Sequence, residues 1–340
     1  MTSLIPIRKT TQPTKRRKKD ARVALDENTI LDGYRIGKVI GRGSFSLVYS
    51  AVEMSTGQEV VVKEYYPQHY AKRQDDNKIA PRSIRKELVF REGLKQFYNE
   101  ALAIKNIKHP NVLDTCSFSQ LNNTAYLISF NLNGRDLKWF VNSFDDALNE
   151  TLLLKVFLPI LSALHFLHKA KLLHLDIKPA NILLQPDGQS LLLDFGASQS
   201  MDSSKRISKY RTLSHGYAPP EQYDRKRELG PWTDLYATAA SMYYCIAGKM
   251  PPKSKDNIAA TKLDVKYYSA HYHPSLINAV NRCLAHDESE RFDNVDDFAA
   301  AILSGSKWES LAQYEKAFLN YDREAPATKQ LLGDLTQYAA

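Results

Sequence analysis

The chain has 340 residues, 43% hydrophobic and 25% charged, with a formal net charge of +8. These are the fractions of a soluble globular protein, with enough length for one large two-lobed domain or two ordinary ones. The charge is concentrated: from Met1 to Leu25 the cations Arg8, Lys9, Lys15, Arg16, Arg17, Lys18, Lys19 and Arg22 are opposed by Asp20 alone, giving +7 and leaving +1 for the rest. The basic balance therefore describes an arm and argues against a nucleic-acid-binding body. Three widely spaced cysteines, Cys116, Cys245 and Cys283, exclude a disulfide framework or a metal-ligand spacing and fit a reducing compartment. Met1–Thr14 lacks the apolar core of a secretory signal. The most apolar helix candidate, Leu152–His168, is interrupted by Lys155, Pro159 and two histidines, so no transmembrane segment and a cytoplasmic location are expected.

In chain order, residues 1–28 form the arm, polar and basic around Thr10–Asp20, and are expected to be disordered. A solubilising role is favoured there over docking to an acidic partner, nucleic acid or anionic lipid. Tyr34–Ile40 alternates as a strand, Gly41-Arg42-Gly43-Ser44-Phe45-Ser46 makes a glycine-rich tip, and Leu47–Met54 is a second strand. Such a tip can lay backbone amides over phosphates. Val60-Val61-Val62-Lys63 is a β-branched strand ending in a cation, followed by a long connection, Glu64–Lys95. Phe97–Ile107 has helical spacing and ends at His109-Pro110-Asn111-Val112. Val112–Ser117 and Thr124–Ser129 are expected strands, Asp136-Leu137 opens a short helix, and Leu152–Ala170 is a buried helix.

The densest chemistry lies in His174-Leu175-Asp176-Ile177-Lys178-Pro179-Ala180-Asn181 and in Leu191-Leu192-Leu193-Asp194-Phe195-Gly196. Each turn adjoins an apolar run, and pairing Ile182–Leu184 with Leu191–Leu193 around Gln185–Gln189 would bring both turns to one end of a ribbon. The resulting pocket has two carboxylates, an amide and an ammonium, which suits a metal-bound polyphosphate. Beyond it come the polar Ala197–Tyr217, then Pro219-Pro220-Glu221, an apolar helix opened by Trp232–Tyr236, and amphipathic helices at His273–Ala285 and Asp293–Leu303. Trp308, Leu311, Tyr314, Phe318 and Tyr321 recur at near-helical spacing and are expected to dock on the preceding domain.

From Tyr34 to Leu303 these motifs, in this order, resemble the landmarks of the protein kinase superfamily, and in particular the eukaryotic-like serine/threonine kinases of bacteria. The resemblance implies an α+β, two-lobed protein-kinase fold: a small β-rich N-lobe with one main helix (29–130), a larger α-helical C-lobe (131–305) and a helical extension (306–340). It implies ATP and Mg²⁺ as cofactors and a protein substrate with a Ser/Thr acceptor. Ile40, Gly41, Gly43, Ser44, Phe45 and Val48 would then cover the nucleotide. Val61, Ser129, Phe130, Leu132 and Leu183 would surround the base, with Phe130–Gly134 as the hinge between lobes. Lys63, braced by Glu100 in preference to Glu92, would grip the phosphates, and Asp194 and Asn181 would hold the metal. Asp176 would accept from the substrate hydroxyl, and Lys178 would neutralise the moving phosphoryl group. Glu221 is expected to pair with Arg291, and Asp234 to cap the loop around Asp176. Ser214 is expected to touch both Asp176 and Lys178. The chain departs from the usual pattern at Ser46 (a third glycine), at Val61 (alanine) and at Leu175 (arginine in many relatives). A catalytically inert scaffold, a small-molecule kinase and a nucleic-acid binder are the competing readings.

Overall fold

The computed structural model describes residues 23–304, apart from 106, 132, 144–147, 202–212, 225 and 253–261. The arm through Arg22, the expected hinge residue Leu132 and the aromatic run from Trp308 thus lie outside the described residues.

Period-two alternation of β-branched and aromatic residues builds the first lobe. Its strands are β1 (Ile30–Leu31), β2 (Tyr34–Arg42), β3 (Ser46–Glu53) and β4 (Glu59–Tyr65), with a separate hairpin of β5 (Ala71–Arg73) and β6 (Ile79–Pro81). Helix α1 (Ile84–Lys105) follows, then β7 (Thr115–Leu121) and β8 (Thr124–Phe130). The antiparallel sheet runs β1-β2-β3-β4-β8-β7. Along β4 the parity is strict: Val60, Val62 and Glu64 are buried behind the sheet, while Val61 and Lys63 are half-buried on the opposite face.

Three expectations are corrected. The main helix begins at Ile84 rather than Phe97, so much of the long connection is helix, and the inserted structure is the β5–β6 hairpin. Ile84 and Leu88 are exposed while Val89 and Phe90 are buried, which blurs the apolar stripe of this half. Gly93, costly inside a helix, lets the Tyr65 ring lie against α1: a Cβ there would sit 2.2 Å from the Tyr65 hydroxyl, which donates to the Phe90 carbonyl at 3.1 Å. Val112 does not open a sheet strand; it bridges in parallel to Leu192 of the other lobe, and β7 starts at Thr115. Phe130 ends β8 rather than starting the linker.

Glu64 is wholly buried yet fully engaged. It accepts from the hydroxyls of Tyr49 and Tyr126, both at 2.8 Å, and from Arg73 at 2.5 Å. Arg73 also donates to the carbonyls of Val23 (3.0 Å) and Asn77 (3.1 Å), while the Leu25 amide donates to the Tyr49 hydroxyl at 3.1 Å. Removing either charge would leave the other buried without its counter-charge, so this network anchors the N-terminal segment and the inserted hairpin to β4.

The second lobe contains β9 (Arg135–Asp136), α2 (Leu137–Ser143), α3 (Glu150–Lys169), β10 (Leu172–Leu173), β11 (Ile182–Leu184), β12 (Ser190–Leu192) and β13 (Gln199–Ser200). Helices α4 (Pro220–Tyr223), α5 (Pro231–Ala247), α6 (Val265–Tyr268), α7 (Pro274–Cys283) and α8 (Val295–Leu303) complete it. The Asn149 side chain caps α3 by accepting from the Leu152 amide at 2.9 Å. By length and composition α3 could cross a membrane, but it packs against α5, α8 and β12 as the core helix of this lobe.

Candidate active site

The ribbon forms with the expected pairing, Ile182 opposite Leu192 and Leu183 opposite Leu191, and β9 adds a third strand. At its open end the Leu193 amide donates to the Asn181 carbonyl at 2.8 Å, placing Asn181 and Asp194 side by side in the chain trace. The loop before Asn181 is held from beneath. Asp234, fully buried, accepts from the amides of His174 (2.9 Å) and Leu175 (2.7 Å), with His168 Nε2 2.9 Å away. Burial alone would raise the Asp234 pKa, but His168 and His174, including its backbone amide, bring it below the usual carboxylate range.

Leu175 and Asp194 both have left-handed backbones, φ +66° and +57°. Aspartate tolerates this, whereas leucine pays about 1–2 kcal/mol. The Leu175 conformation is held by the Asp234 bond and by Gln222 Nε2, which donates to its carbonyl at 2.9 Å. The turn this creates aims Asp176 away from the lobe core.

Asp176 is the hub. Its carboxylate accepts from Ser214 Oγ (2.6 Å), Lys178 Nζ (2.7 Å) and Asn181 Nδ2 (3.1 Å), and Lys178 also donates to Ser214 Oγ at 2.9 Å. The Asn181 amide nitrogen bonds the Asp176 carbonyl as well (2.8 Å), which orients the amide oxygen as the atom to offer a cation. Across the cleft Lys63 Nζ lies 2.6 Å from Asp194 Oδ1, which also accepts from the Gly196 amide at 3.2 Å. Burial works to raise the Asp194 pKa, but the Lys63 ammonium overcomes it and holds the carboxyl far below its ordinary value.

A cavity of about 310 Å³ joins these groups, bounded above by Gly43, Ser44 and Phe45 and below by Asp176, Lys178 and Asp194. Phe45 is pinned by stacking on Tyr70 of the inserted segment, ring centres 6.3 Å apart. Ser46, in place of a third glycine, lines the same cavity. Val48 is the cross-strand neighbour of Gly41 and Lys63, and Val61 of Ser129, so these residues extend the site along one face of the sheet. Phe130 pairs with Val60 at the strand end, Ile40 is exposed at the rim, and Leu183 sits on the ribbon against Gly134.

Helix α1 contributes residues that local sequence does not reveal. Val89, Gly93, Gln96 and Phe97 line the cavity; Gln96 Nε2 donates to the Gly196 carbonyl at 3.0 Å, and Lys63 lies 5.6 Å from the Phe97 ring centre. Their three-to-four spacing was the available signal. Glu100 falls one turn beyond Gln96 in this series, with its side chain outside what is described; Glu92 is exposed. Among the described residues no group of three or more His, Cys, Asp and Glu converges on a metal position. That is compatible with magnesium, which takes one or two protein oxygen ligands and completes its shell with phosphates and water.

His174 ties the parts together. Its Nδ1 accepts from the Asp176 amide at 3.2 Å, so Nε2 carries the proton donated to the Leu193 carbonyl at 3.1 Å, and its ring meets Phe195 edge-on at 4.8 Å. Burial depresses the His174 pKa despite Asp234, Asp176 and Asp194 nearby. The folded state therefore binds fewer protons than the unfolded chain below about pH 6.5 and loses stability as pH falls, by up to about 1.4 kcal/mol per unit. Urea melts between pH 7.5 and 5.5 should show a His174→Phe variant that is less stable overall but flatter with pH than wild type. Equal slopes would remove His174 as the source.

Comparison with known proteins agrees with this architecture. The family described as protein kinase domain matches residues 34–304. The probable serine/threonine-protein kinase PknB of Lactococcus lactis is 24% identical over 86% of this chain and 45% of its own length. The CBL-interacting serine/threonine-protein kinase 16 of Arabidopsis thaliana is 28% identical over 65% of this chain and 45% of its own. The chain thus spans less than half the length of these curated relatives. A solved structure, the apo form of PpkA-294, superimposes with a TM-score of 0.72 at 30% identity, covering 82% of this chain and 99% of that one.

Proposed function

Because the chain belongs to the protein kinase family, we propose that it transfers the γ-phosphoryl group of ATP to serine or threonine hydroxyls of a protein. The observation that carries this reading is Asp176 held by Lys178 and Ser214 in the cavity it shares with the Lys63–Asp194 pair. Asp176 is placed to orient an incoming hydroxyl and receive its proton as the new oxygen–phosphorus bond forms and the bond to ADP breaks. Lys178 is within reach of the same acceptor and offsets charge on the transferred group, while Lys63 offers an ammonium to the phosphates. An ionised carboxylate and an amide oxygen are hard donors, so Asp194 and Asn181 fit Mg²⁺, which when bound would neutralise phosphate charge. The pairing of Lys178 with Ser214 supports a serine/threonine acceptor rather than tyrosine, in line with the resemblance.

Labelled ATP with Mg²⁺ and a generic basic protein, followed by phosphoamino-acid analysis, tests this. Label on serine or threonine that disappears in Asp194→Asn is the expected result; nucleotide binding without transfer by the wild type would overturn it.

Leu175 adds a regulatory expectation. Its side chain is buried, and it offers no cation to a phosphate on the following segment. Protein produced free of phosphate at Ser203, Ser204, Ser208, Tyr210 and Thr212, which lie outside the described residues, should be active. A phosphate-free form that is silent until phosphorylated there would refute this.

A further inference from the structure

A second groove, of about 360 Å³, opens on the C-lobe away from the catalytic cavity. Its floor is apolar, from Leu152 and Val156 of α3, Leu184 of β11 and Trp139 of α2, and Arg135 lies over the Trp139 ring at 5.0 Å. The other charged residue lining it is Lys155, and no carboxylate contributes. Trp139 remains 40% exposed, a large aromatic surface with an adjacent cation.

The described chain ends near the start of α3, whose Leu152 and Val156 line this groove. The Ser304 carbonyl accepts from Ser275 Oγ at 2.7 Å at the start of α7. The neighbouring His273 amide donates to the carboxylate of Glu150, first residue of α3, two positions before Leu152. Trp308 follows Ser304 by four residues, an extended reach of about 14 Å. From Trp308 to Tyr321 the sequence repeats large apolar groups and carries Glu309 and Glu315 against one cation, Lys316. A tethered segment of complementary charge competes at an effective concentration in the millimolar range for short flexible links. We propose that the groove receives this chain's own segment around Trp308–Tyr321, with apolar side chains on the Trp139–Val156 floor and its carboxylates near Arg135. The far wall is the Asn133–Arg135 link between lobes and the Gln185–Gly188 tip of the ribbon. Docking would brace the hinge and the ribbon that leads to Asn181 and Asp194, whether or not phosphoryl transfer is the reaction.

Cysteine cross-linking of the full chain tests this. In a Cys116→Ser background, Gln185→Cys and Leu311→Cys are joined with a short bismaleimide. An intramolecular link that persists on dilution, and exceeds that of a Lys78→Cys/Leu311→Cys control, is expected. Links found only in dimers that fade on dilution would place a second copy in the groove and overturn the assignment, as would a yield equal to the control. In parallel, Trp308→Asp/Leu311→Asp in the full chain should speed amide exchange at 135–140 and 184–188 by about tenfold. Unchanged exchange at both segments would also overturn it.

Discussion

Asp176→Asn is expected to slow phosphoryl transfer by about 10²–10⁴-fold, the range for loss of a positioned proton acceptor. The replacement keeps the side chain's shape, and Lys178 and Asn181 can still donate to the amide oxygen from their present positions, 2.7 and 3.1 Å from the carboxylate. Ser214 Oγ, now donating at 2.6 Å, can rotate to accept from the new amide. What disappears is the negative charge proposed to orient and deprotonate the hydroxyl. Asp176 does not touch the Lys63–Asp194 side of the cavity, so the KM for ATP should hold while kcat falls. Single-turnover kinetics on matched preparations provides the check. A rate within a few-fold of wild type would remove Asp176 from the chemistry.

Arg291→Ala is expected to cost about 3–5 kcal/mol, because it leaves the Glu221 carboxyl group without its counter-charge in the core. The guanidinium grips both carboxylate oxygens, at 2.7 and 3.1 Å, and both side chains have no exposed surface. It also donates to the carbonyls of Ala285 (2.8 Å) and His286 (3.2 Å), while Thr233 Oγ1 donates to Glu221 at 3.1 Å. Against a total stability of about 5–15 kcal/mol, such a loss consumes much of what a domain has. A double variant, Arg291→Met with Glu221→Leu, should be markedly less damaged than Arg291→Ala, since no lone charge remains buried. Urea unfolding of the three proteins decides it: equal losses would mean that packing, not charge pairing, ties Glu221 to the lobe.

The parts legible in the sequence were those whose meaning is local. The loop from His174 to Asn181, the ribbon, the Glu221–Arg291 pair and the Asp234 cap were expected, and each contact forms. Ser214 meets Asp176 and Lys178 as anticipated. What escaped depended on tertiary neighbours. The first half of α1 mixes outward apolar residues, Ile84 and Leu88, with inward Val89 and Phe90, which blurs the helical period. The contact between Gln96 and Gly196 spans 100 positions and has no local sign. Glu64 was open to a better reading, since it falls on the parity of Val60 and Val62, but the sequence reads as a strand ending at Lys63, with Glu64 starting the following connection.

That parity has a consequence for genetics. Lys63 and Glu64 are adjacent in the chain but face opposite sides of one strand, one toward the cleft and the other into the Tyr49–Arg73–Tyr126 cluster. Loss-of-function alleles at these neighbouring codons should separate by abundance. A Lys63→Met product should accumulate at the normal level and be inert. A Glu64→Ala product should be depleted by the cell's quality control, because a buried Arg73 left without its carboxylate raises the unfolded fraction. Immunoblots of the two strains would show one dead protein and one missing protein from mutations a single residue apart.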